Sequence, residues 1–176
     1  MMFAKEAREE CLSFLLTQPL KNALDLGCGK GRIAESILKK GIPVVGVDVK
    51  NQEFYYPKFQ FIKEESRKFK FKEDYDVIVA SLLLHFFPIE DSLSLIKKIQ
   101  AHTTSNGFNF LVCMSKEDDL AKSANQNFYP NKKELLELYK DWKIIKFLRA
   151  ITKLETHDNL PQHKHNLIFL VVQKSF

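Results

Sequence analysis

Residues 23–50 read ALDLGCGKGRIAESILKKGIPVVGVDVK, and the order of residue types in this stretch decides what the rest of the chain must be. Leu24 and Leu26 belong to a short apolar strand, residues 27–31 (GCGKG) form a turn, and Ile33, Ala34, Ile37 and Leu38 recur at the spacing of one buried helix face. Gly41 ends that helix, Lys39 and Lys40 suit the negative end of its dipole, and Pro43 bars its continuation. A second strand, residues 44–47, then ends in Asp48. Strand, glycine turn, helix and strand in this order form one half of a parallel α/β sheet.

Glycines in such a turn accept positive φ and let a ligand approach bare backbone, with N–H groups at the helix N-terminus pointing outward. Asp48 lies 21 residues after Gly27. It stands at the carboxyl end of the neighbouring strand, where a carboxylate accepts hydrogen bonds from both ribose hydroxyls. The unit therefore predicts a nucleoside-binding site. A dinucleotide fingerprint G-x-G-x-x-G begun at Gly27 requires glycine at 32, where Arg32 stands; Gly31 arrives one residue early.

The pattern D-x-G-x-G-x-G (Asp25, Gly27, Gly29, Gly31), followed by an acid ending the second strand, resembles the class I S-adenosylmethionine (SAM) methyltransferases. The resemblance implies SAM as cofactor and S-adenosylhomocysteine as product. It places Asp25 beside the methionine half, Gly27, Cys28, Gly29 and Gly31 against the ligand, and Asp48 with Val49 at the ribose. After the third strand the superfamily has an acid that meets the adenine amino group. An acid four residues before an aromatic matches Glu65 with Phe69 and makes Ser66 the backbone contact, although Glu64 adjoins it. Ser81 and Leu82, at the end of the fourth strand, complete the implied cofactor set.

A chain of 176 residues is expected to form one domain, residues 1–176, with a leading amphipathic helix in 1–18. In that helix Ala4, Ala7, Cys11 and Leu15 make the apolar stripe, for which core packing is the simplest role, while the resemblance also allows such a leading helix to lie over the cofactor. Apolar residues at 45% and charged residues at 28% are ordinary for a globular protein, while fifteen Phe are many. The amino-terminal residues carry both signs of charge without an apolar leader core, and the apolar runs are too short to span a bilayer, so a cytoplasmic protein without membrane contact is expected. Three cysteines, Cys11, Cys28 and Cys113, show no paired spacing and read as reduced thiols. A formal charge of +5 is compatible with a nucleic-acid partner and does not demand one.

Seven strands follow from the pattern: residues 23–26, 44–47, 59–62, 75–81, 108–114, 143–149 and 166–174. The expected architecture is α/β, a Rossmann-like seven-stranded sheet. The last two strands form a hairpin, so the final strand is antiparallel. Segments 49–58 and 63–74 have no helical period, which leaves reduced helical cover, with Phe54, Tyr55 and Tyr56 as candidates to fill the gap. Ile89, Leu93, Ile96 and Gln100 form one row of the helix after Pro88. Asn131 with Glu134 is a capping box for the next helix. The intervening loop 115–131 reads as unstructured and sits where ligands bind in open α/β sheets.

The end of the fourth strand, AlaSerLeuLeu at 80–83, lacks the Asn/Asp-Pro-Pro-aromatic segment with which the superfamily's nucleic-acid amine methylases hold a base. From Phe128 onward, FYPNKKELLELYKDWKIIKF and ETHDNLPQHKHNLIFLVVQK resemble the tellurite-resistance methyltransferases, small SAM enzymes acting on chalcogen oxyanions or other small acceptors. On the acceptor side the candidate catalytic residues are His85, His163 and His165, with His157 beside them, since an imidazole positions an acceptor or takes a proton. The spacing H-x5-H-x-H permits metal ligation without specifying it, and no metal is expected. Arg32 and Arg149 read as solvated charges. Alignment of a preactivated methyl group supplies about 7–11 kcal/mol without an acid–base pair, which leaves the acceptor side weakly marked in sequence.

The expected activity is SAM-dependent methyl transfer to a small molecule, a chalcogen oxyanion or a thiol, by a monomer or weak homodimer. An RNA or protein methyltransferase, or a SAM-binding partner subunit without catalysis, are the alternatives. The alternation Lys68-Phe69-Lys70-Phe71-Lys72 is the feature that would serve RNA, and a lysine-guarded edge strand gives the same pattern.

Overall fold

The computed structural model describes residues 2–53, 55–124, 126–155 and 162–175. Met2–Phe3 (β1) precedes the helix Ala4–Leu15 (α1); then come Ala23–Leu26 (β2), Arg32–Leu38 (α2), Val44–Asp48 (β3), Phe59–Lys63 (β4) and Tyr75–Ser81 (β5). A 3₁₀ turn, Leu84–Phe86, leads into Ile89–Ala101 (α3) and Thr103–Met114 (β6). Asp119–Ser123 (α4), Lys132–Leu138 (α5), Lys143–Ile151 (β7) and Asn166–Gln173 (β8) complete the chain.

One sheet carries all strands in the order β1-β7-β8-β6-β5-β2-β3-β4. Every pairing is parallel except those of β8, which runs antiparallel to both β6 and β7. The antiparallel final strand and its hairpin are as the sequence predicts. The strand count is not: eight strands replace seven, because Met2 and Phe3 pair with Ala150 and Ile151 and cover the open edge of β7. Phe3 N–H bonds the Glu6 carboxylate at 3.1 Å, so the same two residues that extend the sheet also start α1.

The helices fall on the two faces as their patterns require. Ala7, Cys11 and Leu15 of α1 and Ile33, Ala34, Ile37 and Leu38 of α2 pack with Val77, Val79, Phe110 and Phe169 on one side. Leu95, Ile96 and Ile99 of α3 and Leu135 of α5 pack with Leu24, Ile78, Leu111 and Leu170 on the other. Along β8, Leu167, Phe169 and Val171 enter the first core and Ile168, Leu170 and Val172 the second, the two-sided burial of an interior strand. The face of α3 differs from the predicted row. Ser92, Leu95, Ile96 and Ile99 are buried while Ile89 is exposed, since Ser92 Oγ bonds Leu84 O at 3.0 Å and turns that side inward.

No helix joins β3 to β4 or β4 to β5 among the described residues, so the reduced cover at that edge holds. Tyr56 packs against the first core, whereas Tyr55 is 89% exposed and covers nothing; Phe54 lies outside the described residues. The lysine–phenylalanine run 68–72 is not an edge strand. Phe69 and Phe71 turn into the second core, and Phe71 stacks on His102 at 4.6 Å. Asn106 takes φ 63° in a kink where the β5–β6 register shifts, so β6 begins earlier than the predicted strand. The predicted Asn131–Glu134 capping box forms, with Glu134 N–H on Asn131 at 2.9 Å and Asn131 N–H on Glu134 at 2.8 Å. All three cysteines are free and buried. Among the described residues no helix is long and apolar enough to cross a membrane.

Candidate active site

The turn between β2 and α2 owes its shape to three glycines, Gly27, Gly29 and Gly31, at φ 68°, 52° and 73°. Gly27 also allows a close approach, because a Cβ there would stand 2.8 Å from Leu83 Cδ1. The outward-pointing amides predicted for this turn are largely consumed within the fold. Gly27 and Cys28 N–H both donate to Val47 O at 2.7 and 3.1 Å, and Gly31 N–H to Cys28 O at 2.9 Å. Gly29 N–H donates to Asp48 Oδ2 at 2.9 Å. The loop is thus a rigid wall against which a ligand lies, unlike a phosphate cradle.

Asp48 is held from two sides, since its other oxygen accepts Lys50 N–H at 2.9 Å. Each carboxylate oxygen keeps a further lone pair for a hydroxyl. Asp25 is only 2% exposed, and burial followed by the nearby Asp48 pushes its carboxyl up to about 7 against the lowering effect of the Ala34 backbone hydrogen bond.

A cleft of about 1110 Å³ opens at the carboxyl ends of β2, β3 and β5. Gly27, Gly29, Asp48, Val49, Glu65, Ser66, Ser81 and Leu82 stand on its wall. Asp25, Gly27, Cys28, Gly29, Ser81 and Leu82 line a smaller hollow of about 230 Å³ that shares residues with it. Of the predicted cofactor residues only Gly31 is on neither wall; it is the left-handed N-cap of α2. Register puts Glu65 on the wall while Glu64 bonds the Glu65 N–H beneath it. The Arg67 guanidinium joins Glu65 to Asp91 and lies 4.7 Å over the Phe87 ring, which fixes the Glu65 carboxylate. Leu82 adopts φ 50°, a strained conformation for leucine, at the seam of cleft and hollow.

The histidines gather beside this cleft, off its wall. His85 is 8% exposed, and its ring lies 4.1 Å from Phe86, which lines the cleft, and 6.1 Å from Tyr129. Burial, then the neighbouring His165, lowers His85 to about 4 against the pull of Asp118, and its Nδ1 has no hydrogen-bond partner among the described residues. His165 is 4% exposed; its Nδ1 lies 3.2 Å from Asp118 Oδ2, its N–H bonds Thr152 Oγ1, and its ring is 4.8 Å from that of His163. His163 and Glu155 exchange backbone hydrogen bonds across the hairpin. His157 lies outside the described residues.

Asp118 was not legible as a member of this cluster, because it sits in a charged run that reads as solvated loop. It is 1% exposed and accepts Leu120 N–H at 3.0 Å and Asn166 N–H at 2.7 Å besides facing His165. Since it caps α4, the loop 115–131 is not structureless. Asn127 bonds His85 O, and Phe128 N–H bonds Phe87 O, which straps that loop to the 3₁₀ turn. Arg8, on the wall of the hollow, was likewise not singled out in the sequence.

A glycine turn, an acid ending the adjacent strand, and one antiparallel strand beside the last parallel one define the class: a class I, SAM-dependent methyltransferase fold. The family model for "Tellurite resistance protein TehB" matches residues 9–170. The chain belongs to that family. A probable S-adenosyl-L-methionine-dependent methyltransferase TehB of Haemophilus influenzae strain 10810 is 29% identical over 149 residues, which span 77% of this chain and 50% of that relative. The chain thus spans about half the length of the curated TehB relatives it matches. The crystal structure of TehB from Haemophilus influenzae superposes with a TM-score of 0.76 at 22% identity, covering 94% of this chain and 62% of that one. A Burkholderia thailandensis 1,6-didemethyltoxoflavin-N1-methyltransferase with bound S-adenosylhomocysteine superposes at 0.72 and 16% identity, covering 98% of this chain and 80% of that one.

Proposed function

We propose that this chain transfers the methyl group of SAM to a small acceptor carrying a soft nucleophile, with a thiol favoured over a chalcogen oxyanion. The observation that carries the reading is the juxtaposition of the cleft with a buried imidazole–carboxylate cluster through the 3₁₀ turn that bears His85 and Phe86.

The residues on the cleft wall fit the cofactor. Asp48 would accept the ribose hydroxyls, Glu65 and Ser66 flank the base, and Leu82, Leu83, Phe86 and Phe87 exclude water. When bound, SAM supplies a methyl group on a sulfonium sulfur that leaves as a neutral thioether. Positioning then supplies most of the rate, and the chain's task is to align and desolvate the acceptor.

On the acceptor side, both Asp118 oxygens already accept backbone N–H groups, so the proton in its bond to His165 belongs to the imidazole Nδ1. This orients the ring. His85 stays uncharged at neutral pH and offers an imidazole without a cation. Two basic side chains of these segments are paired with carboxylates, Arg149 with Glu117 and Lys116 with Glu134. A buried carboxylate and neutral imidazole suit a protonated nucleophile better than an oxyanion. RNA methylation loses its supporting feature, since Phe69 and Phe71 are packed in the core.

The test is S-adenosylhomocysteine release with small thiols, selenite, tellurite and RNA offered in parallel. Turnover with thiols is expected to exceed the others. Methylation of RNA with none of the small acceptors would overturn the substrate class, and turnover confined to oxyanions would overturn the preference within it.

A further inference from the structure

The fold treats the two phenylalanines at the end of the 3₁₀ turn differently. Phe87 is buried and lies under the Arg67 guanidinium, which also holds Glu65, so it belongs to the Glu65 end of the cleft. Phe86 is 68% exposed although it lines the same cleft, and its ring lies 4.1 Å from that of the buried His85. Leu82, also exposed, lines the cleft four residues earlier. A large aromatic ring left in water at the wall of a cavity offers apolar surface for a ligand to cover.

Charge is spread unevenly along that wall. The charged side chains that line it are Lys30 in the glycine turn, Asp48, Lys50 and Glu53 at and after the end of β3, and Glu65 beyond β4. The segment after β5 contributes Ser81, Leu82, Leu83, Phe86 and Phe87, none of them charged. Since β5 lies between β2 and β6, this uncharged segment is on the side of the cleft toward β6 and β8. Behind Phe86, His85 is uncharged at neutral pH, and its buried Nδ1 has no hydrogen-bond partner among the described residues. The Asp118 carboxylate is taken up by Leu120 N–H, Asn166 N–H and His165. A charged substituent seated against this segment would lose hydration with no described partner to replace it, whereas an apolar one gains from every ring atom it covers.

We propose that Phe86 and Leu82 form the seat for the acceptor's substituent, and that the acceptor is an uncharged thiol bearing an apolar group of about the size of a phenyl ring. This rests on the reading that the cleft takes SAM and that a thiol is methylated. In that reaction the acceptor sulfur bonds the methyl carbon as the sulfonium carbon–sulfur bond breaks. The thiol proton passes to water, and the products are a neutral thioether and S-adenosylhomocysteine.

Four thiols, all protonated at neutral pH, separate charge from apolar size: phenylmethanethiol, 2-mercaptoethanol, mercaptoacetate and 2-aminoethanethiol. In S-adenosylhomocysteine release, phenylmethanethiol should lead each of the others in kcat/KM by about tenfold to a hundredfold, the scale of covering one apolar side chain, and Phe86→Ser should abolish that lead. Because this comparison is a ratio among thiols on one protein, partial misfolding cannot imitate its loss. Binding is read without turnover on protein saturated with S-adenosylhomocysteine, which has no methyl group to give. Calorimetric titration with phenylmethanethiol should show binding to the parent and an affinity lower by about the same factor in Phe86→Ser. Equal turnover of the four thiols, a lead for any of the other three, or a Phe86→Ser protein that keeps the lead would overturn this assignment and leave the thiol reading in place. A parent that methylates none of the four would overturn the thiol reading and the assignment with it.

Discussion

The proposed cofactor cleft and the proposed acceptor end stand side by side on the carboxyl edge of one sheet, yet they are assembled differently. On the cofactor side, the glycine turn, Asp25 and Asp48 come from 24 consecutive residues, 25–48, and the turn is fixed by backbone hydrogen bonds such as Gly27 N–H to Val47 O. On the acceptor side, His85, Asp118 and Tyr129, Thr152, and His165 come from four separate segments and meet through side chains and a loop strap. A site held by backbone geometry tolerates variation around it, while one held by convergent side chains changes with each of them. The difference predicts that cofactor affinity and turnover can be altered independently.

His165→Ala should break the comparison most sharply. Turnover is expected to fall by about 10²- to 10⁴-fold, the usual contribution of a positioned imidazole, while SAM affinity stays within about twofold. Steady-state kinetics beside calorimetry checks this, and a proportional loss of both would merge the two sites into one.

Asp25→Asn tests the cofactor side through stability. A carboxyl raised to about 7 in the fold binds more protons than in the unfolded chain, so its contribution is fully present below about 3.8 and is lost as pH rises through 7. The variant should therefore melt higher than the parent at pH 8, by a free energy on the order of a few kcal/mol, and the gap should close toward pH 4. A gap that widens on acidification would contradict the burial account.

Tyr139→Phe touches neither region. Tyr139 is fully buried, its hydroxyl bonds Asn109 Oδ1 at 3.1 Å, and the Asn109 amide bonds Thr103. Leaving Asn109 short of a partner should cost about 1–3 kcal/mol in denaturant titration with both sites intact. The smallest effect belongs to Tyr55→Ser, within about 0.5 kcal/mol of the parent, because the ring is exposed and touches no core. A larger loss there would show that the thinly covered edge depends on it.

Legibility followed the same division. The turn, α2 and β3 were readable because glycine, helix period and strand-end acid are local signals, and Ile33, Ala34, Ile37 and Leu38 are buried as their spacing requires. The two-sided burial of β8 and the Asn131 cap were readable for the same reason. The phase of α3 was not, since a buried Ser92 bonded to Leu84 O overrides the apolar count. Met2–Phe3 as a strand depends on the free edge of β7, more than 140 residues away. Asp118 looked solvated because nothing local reveals that Asn166 and His165 close over it. Arg8 adjoins the apolar stripe of α1, and only the placement of that helix beside the glycine turn brings it to the hollow.

The central claim is that the glycine turn and Asp48 form a cofactor site whose function is independent of the histidine cluster. Calorimetric titration of SAM into the parent and into Asp48→Ala tests it most directly. The account predicts a stoichiometry near one for the parent and an affinity lower by about 1.5–3 kcal/mol for the variant, the range for hydrogen bonds to a charged group. A parent that does not bind SAM, or a variant that binds it as tightly as the parent, would contradict the claim.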